Sequence, residues 1–188
     1  GEGMVFRKIR EVVKDTYTEP VKERRYVIGI DLAKHVDFTV IVVIDDLTHE
    51  VVYKDRFNQI DWVLQKARIK NAWEKWNRGR IILDSTGNGD SVFDELVAMG
   101  MTVTPFKFTN QSKAEIVNNL SVAIENKEIW LPNDPQVIDE LEIFEYEVSK
   151  TGNVRYTAPE GFHDDIVMAL CLAWSGVKGS HEVLIGTF

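Results

Sequence analysis

"RYVIGIDLAKHVDFTVIVVIDDLTHEVVYKDRFN", residues 25–58, reads as three strands in succession. The runs 25–33 and 37–46 are short, apolar and rich in Val and Ile, and a third run covers 49–58. Between the second and third, "DDLTH" has the composition of a turn. Strands joined this closely pair with their neighbours, so the stretch predicts an antiparallel meander. The apolar part of its first strand ends at Asp31, a carboxylate at the edge of a core-forming segment.

Toward the C-terminus the pattern changes to alternation of helix and strand. "DWVLQKARIKNAWEKWN" (61–77) has approximately helical apolar spacing, with Gly79 as its stop. "RIILD" (80–84) returns to strand and ends on Asp84. The Gly-rich "STGNGD" leads into a helix capped by Ser91 or Asp90, followed by a strand at 101–108 and an amphipathic helix at 111–126. "EIWLP" is a short strand, and Asp134 with Pro135 starts the next helix. Alternation on both sides of "KTGN" marks a β-hairpin within 146–158. "GFHDDIVMALCLAW" (161–174) is the closing helix. The expected fold is α/β: a mixed sheet of three antiparallel strands and then parallel ones, helices on both faces, and an extra hairpin. Residues 1–24, polar and of mixed charge, are read as a linker or N-terminal arm, 25–178 as one domain and 179–188 as a tail.

The chain has 188 residues, 44% hydrophobic and 28% charged, enough for one well-filled core. Its single cysteine, Cys171, sits in an apolar run and is expected to be a buried thiol. No apolar run reaches the roughly 20 residues that a membrane-spanning helix needs. The net charge of −8 argues against holding nucleic acid by bulk charge alone. It leaves room for a nuclease whose carboxylates bind cations and whose substrate is held partly by another domain or subunit.

The carboxylates are the chemical signal. Asp31 and Asp84 end two apolar strands, and Asp164 and Asp165 open the last helix. If those strands are neighbours and the helix packs on them, the four groups converge at one sheet edge. Like charges so close repel unless protonated or neutralised. Mg²⁺ or Mn²⁺ is the natural neutraliser, and two such ions support phosphodiester cleavage.

"IGIDLA", "ILDSTGNG" and "FHDDIVMALCLAW", in this element order, resemble the ribonuclease H/retroviral-integrase superfamily. More narrowly, about residues 25–175 are similar to the nuclease domain of the large terminase subunit of tailed bacteriophages, with "NQSKAEIVNNLSVAIENKEIWLP" and the hairpin before "HDDIVMAL" extending the likeness. The resemblance implies a ribonuclease H-like fold and a Mg²⁺- or Mn²⁺-dependent endonuclease that cuts double-stranded viral DNA during packaging with two ions. It matches Asp31 to a ligand bridging both metals, Asp84 to a ligand of the second, and Asp165, with Asp164 as a second or outer ligand, to the helix contribution. The implied partners are the ATPase motor of the same subunit, the portal and the small terminase subunit, in the cytoplasm of the infected bacterial host.

Around this set, His163 is a candidate to orient a carboxylate or a water. Lys113, Lys150, Asn153 and Arg155 are candidates for DNA contact, Lys113 at a helix start and the others at or beside the hairpin tip. "TGNG" (86–89) lacks the full P-loop pattern and reads as turn geometry. Asp37, Asp45 and Asp46 read as solvated turn or strand-end residues. Three other functions remain open: a Holliday-junction resolvase-like nuclease, a cation-stabilised DNA-binding scaffold without catalysis, and an actin-like or sugar-kinase ATPase, for which the chain is short.

Overall fold

The computed structural model describes residues 3–33, 38–58, 60–87 and 89–177. The meander is present as β3 (Tyr26–Asp31), β4 (Thr39–Asp45) and β5 (Val51–Phe57), following two short strands, β1 (Gly3–Met4) and β2 (Val13–Lys14). Then come α1 (Trp62–Lys75), β6 (Arg80–Asp84), α2 (Gly89–Ala98), β7 (Val103–Phe106) and α3 (Asn110–Glu125). The chain continues through β8 (Leu131–Pro132), α4 (Pro135–Ile143), the hairpin β9 (Glu145–Val148) and β10 (Val154–Thr157), and α5 (Asp165–Ser175).

The main sheet has the order β5-β4-β3-β6-β7. Its first three strands are antiparallel, and β6 runs parallel to both β3 and β7. Every residue of β3 and β4 is buried, as expected for strands covered on both faces. Ile28, Ile30, Ile41 and Val43 meet α1 and α2 on one face, around Trp73, Trp76 and Leu96. Val27, Val40, Val42 and Ile82 meet α5 on the other, backed by α3 and α4.

α5 is apolar on all sides and all eleven of its residues are buried, the pattern of a helix enclosed by its own domain. Each fully buried aliphatic or aromatic side chain contributes about 2 kcal/mol of transfer free energy. Gly29 lets this helix settle directly on β3, since a Cβ there would collide with the backbone of Ala169 and Ala173.

The N-terminal segment differs from the arm expected of it. Phe6, Ile9 and Val12 are buried in the main core, and Phe6 stacks on Phe144 with ring centroids 5.5 Å apart. β1 pairs with β9, and β2 pairs in parallel with β8. These few apolar residues are interspersed among charges, which hid a packed strap behind a polar composition. Asp45 is also corrected: expected to be solvated, it is 4% exposed. The expected tail at 179–188 and Asp37 lie outside the described residues.

Candidate metal centre

Asp31 is the last residue of β3 and Asp84 the last of β6. The parallel register pairs Ile30 with Leu83, so one residue further on the two aspartates end adjacent strands side by side. Alternation along each strand places them on the α5 face with Gly29 and Ile82. α5 lies against β3 and β6 and brings Asp164 and Asp165 to the same edge. The carboxyl ends of parallel strands are where open α/β sheets form their ligand crevices.

All four aspartates line one pocket of about 250 Å³ together with Leu32, Phe108, Lys113 and Met168. A larger cavity, about 520 Å³, lies at the opposite end of β3 and β6, among Arg24, Arg25, Arg78 and Arg80. Chemistry, not volume, marks the first as the candidate site. Burial raises the pKa of Asp31 well above the ordinary carboxylate range, and the charges of Asp165, Asp84 and Asp164, with a hydrogen bond to Asp165, push it the same way.

The surrounding contacts set the orientation of each group. Asp84 Oδ1 accepts a hydrogen bond from the Thr86 amide at 2.8 Å, so its turn-forming and site-facing roles coexist. Asp165 Oδ2 accepts from the Phe38 amide at 3.4 Å. His163 Nδ1 stands 3.7 Å from the same oxygen, within ion-pair reach when the imidazole is charged. The His163 ring packs edge-on against Phe38, whose face carries the Arg56 guanidinium 3.5 Å away. Thr109 and Ser112 form a reciprocal capping box at the start of α3. That box places Lys113 in the first turn, with Nζ 4.0 Å from Asp164 Oδ2.

Asp164 occupies the N-cap position of α5 but makes no capping bond through its side chain. Helix capping is therefore not what this pair of aspartates does. Lys150, Asn153 and Arg155 do not line the pocket. They belong to the exposed tip and edge of the hairpin, where Arg155 faces Glu147 across the strands and Asn153 closes the turn with Ser149. Asn88, within the Gly-rich loop, lies outside the described residues.

One buried acid escaped the sequence reading. Glu140 of α4 is 7% exposed, and its Oε1 accepts from the Val167 amide at 2.9 Å. Burial raises its pKa to about 8, offset in part by the Val167 and Ile166 amides. The available signal was its position three residues after Val137 and next to Leu141, on the apolar face of its helix.

The donor set is hard oxygen throughout, four carboxylates against one lysine among the described lining residues, and this fits a divalent cation such as Mg²⁺ or Mn²⁺. Among the described residues no three acidic, imidazole or thiol groups already stand in ligand geometry. The aspartates share a pocket, with Asp31 and Asp165 hydrogen-bonded to each other, and do not form a closed cage.

A five-stranded mixed sheet with this carboxylate edge and helices on both faces defines a ribonuclease H-like nuclease fold. The chain belongs to the terminase RNaseH-like domain family, whose profile matches residues 28–175. It is 35% identical over 174 residues to the large terminase subunit of Thermus virus P23-45, covering 92% of this chain and 35% of that protein. The chain thus spans about a third of the length of the curated relatives it matches. The crystal structure of the large terminase nuclease from thermophilic phage G20c superposes with a TM-score of 0.86 at 30% identity, covering 93% of this chain and 98% of that one. The same phage nuclease with bound magnesium gives 0.86 at 31%, covering 92% and 97%.

Proposed function

We propose that this chain is a divalent-metal-dependent endonuclease domain that cuts double-stranded viral DNA during genome packaging, with Asp31, Asp84, Asp164 and Asp165 holding two Mg²⁺ or Mn²⁺ ions. The observation that carries this reading is Asp31, buried at a strand end among three other carboxylates that all raise its pKa. Such an arrangement costs stability unless cations enter it. The magnesium-bound relative supports the choice of metal class.

Bound ions of this kind supply Lewis acidity toward the phosphodiester and acidify the attacking water. In this reading Asp31, Asp84 and Asp165, with Asp164 beside Asp165, would hold the ions at the shared pocket. His163 and the Phe38 amide hold Asp165 in place. Lys113 lines the pocket, and in this reading it would meet a phosphate oxygen of the bound strand. The hairpin, through Lys150, Asn153 and Arg155, engages the duplex outside the pocket. The net charge of −8 makes help from an ATPase motor in the same subunit part of the proposal. The portal and small terminase subunit would be the other partners, in the host cytoplasm. No helix among the described residues is long and apolar enough to cross a membrane.

Supercoiled plasmid incubated with Mn²⁺, with and without EDTA, tests the reading. Nicking and linearisation that require the metal and vanish in Asp31→Asn are expected. Absence of cutting at high protein concentration would instead favour a cation-stabilised scaffold, and strong preference for branched DNA would favour a junction resolvase.

A further inference from the structure

The first amides of a helix have no acceptor within the helix itself and are usually met by the N-cap side chain. In α5 that side chain is Asp164, and it makes no such bond. The Val167 amide donates instead to Glu140 Oε1, 27 residues earlier in the chain. Glu140 sits among buried Val137, Ile138 and Leu141 on α4. An apolar residue there would pack without the desolvation cost of a carboxyl group, so the acid has a polar task.

We propose that Glu140 is a positioning residue that caps α5 from a neighbouring helix, leaving the Asp164 and Asp165 carboxylates turned toward the metal pocket. If Asp164 capped the helix itself, its side chain would fold back over the Val167 amide and leave the pocket. Its actual neighbours are Lys113 and the other pocket aspartates. Removing the acceptor on α4 exposes the helix end to that competition.

The proposal rests on the metal-site reading above, and the experiment separates the two. Mn²⁺ binding is measured by calorimetry without DNA, alongside exchange of the Val167 amide and thermal melting, in wild type, Glu140→Gln and Glu140→Met. The Gln variant keeps a carbonyl acceptor and should bind Mn²⁺ within about twofold of wild type, whereas Met should weaken binding about tenfold, as for loss of an outer-shell partner. The Val167 amide should stay protected in Gln and exchange faster in Met. A purely structural role would lower melting in Met while leaving the Mn²⁺ affinity of the folded protein unchanged, and that result overturns the proposal. So does a Gln variant as weak as Met. If Met fails to fold, Gln decides alone: wild-type affinity with a protected amide supports the cap, and a tenfold loss sinks it. Wild type that binds no Mn²⁺ removes the metal reading, while the amide exchange still reports on the cap.

Discussion

Two buried aspartates end neighbouring strands at opposite ends of the sheet. Asp45, at the end of β4, is 4% exposed, and Asp31, at the end of β3, is 8% exposed. Asp45 is fully answered by its surroundings: one oxygen pairs with the Arg24 guanidinium, and the other accepts from the Leu47 and Thr48 amides at 2.8 and 3.1 Å. Asp31 has three further carboxylates around it instead. Burial alone therefore does not mark a functional acid. A buried acid with its charge compensated holds the fold together, and one surrounded by more acids stores repulsion that a ligand can relieve.

Exchanging each acid for its amide should separate these roles. Asp31→Asn should fold and lose more than about 100-fold in metal-dependent cleavage, beyond the range typical of outer-shell changes. At pH 8 its metal-free form should melt no lower than wild type, because a repelling group has been removed. Near-normal cutting by this variant would break the contrast. Asp45→Asn should do the reverse. Weakening a buried, charge-assisted set of bonds costs about 1–3 kcal/mol, or roughly 2–4 °C of melting temperature per kcal/mol for a chain of this size. Its cleavage rate, assayed well below melting, should stay within about twofold of wild type, since such a residue acts on stability alone.

Solution pH should expose the burial of these acids together with the repulsion around them. Asp31 and Glu140 both have raised pKa values when folded, Glu140 moving from 4.5 to about 8. A carboxyl of this kind binds its proton more tightly in the folded state, so stability is greatest at low pH and falls as pH rises through that window. Metal-free protein should lose roughly 5 °C of melting temperature between pH 5.5 and 8.5. Added Mn²⁺ should restore most of it at the upper end by binding the folded form. A flat or rising metal-free profile would contradict the electrostatics of the pocket. The smallest effect belongs to the hairpin, whose Lys150 and Arg155 do not line the aspartate pocket. Lys150→Ala or Arg155→Ala should weaken DNA binding modestly and reduce its salt slope by about one, with Mn²⁺ affinity unchanged. Equal DNA affinity before and after would remove the hairpin from the DNA-contacting surface.

The strands and the helix order were legible because they depend on local pattern. The Val/Ile runs of β3 and β4, the stop at Asp31, and the Asp134–Pro135 start of α4 can all be read from a few adjacent residues. The convergence of Asp31, Asp84, Asp164 and Asp165 was legible as well, because strand ends and a helix start leave few places for them to go. What escaped depends on partners distant in sequence. Phe6 needs Phe144, Asp45 needs Arg24, and Glu140 needs the amide of Val167. A polar residue answered across the fold looks, in the linear chain, like one left in solvent.

The burial of α5 on every side, with no room for a Cβ at Gly29 beneath it, has a mechanical consequence. A helix gripped in this way can neither roll nor slide without opening the centre of the domain. The wall of the acid pocket that α5 supplies is then an anvil, set by folding itself. On the function proposed above, accommodating the shape of DNA would fall to the exposed hairpin and the rim around Lys113, and a change of substrate geometry would be absorbed outside the site while the aspartates stay where folding put them.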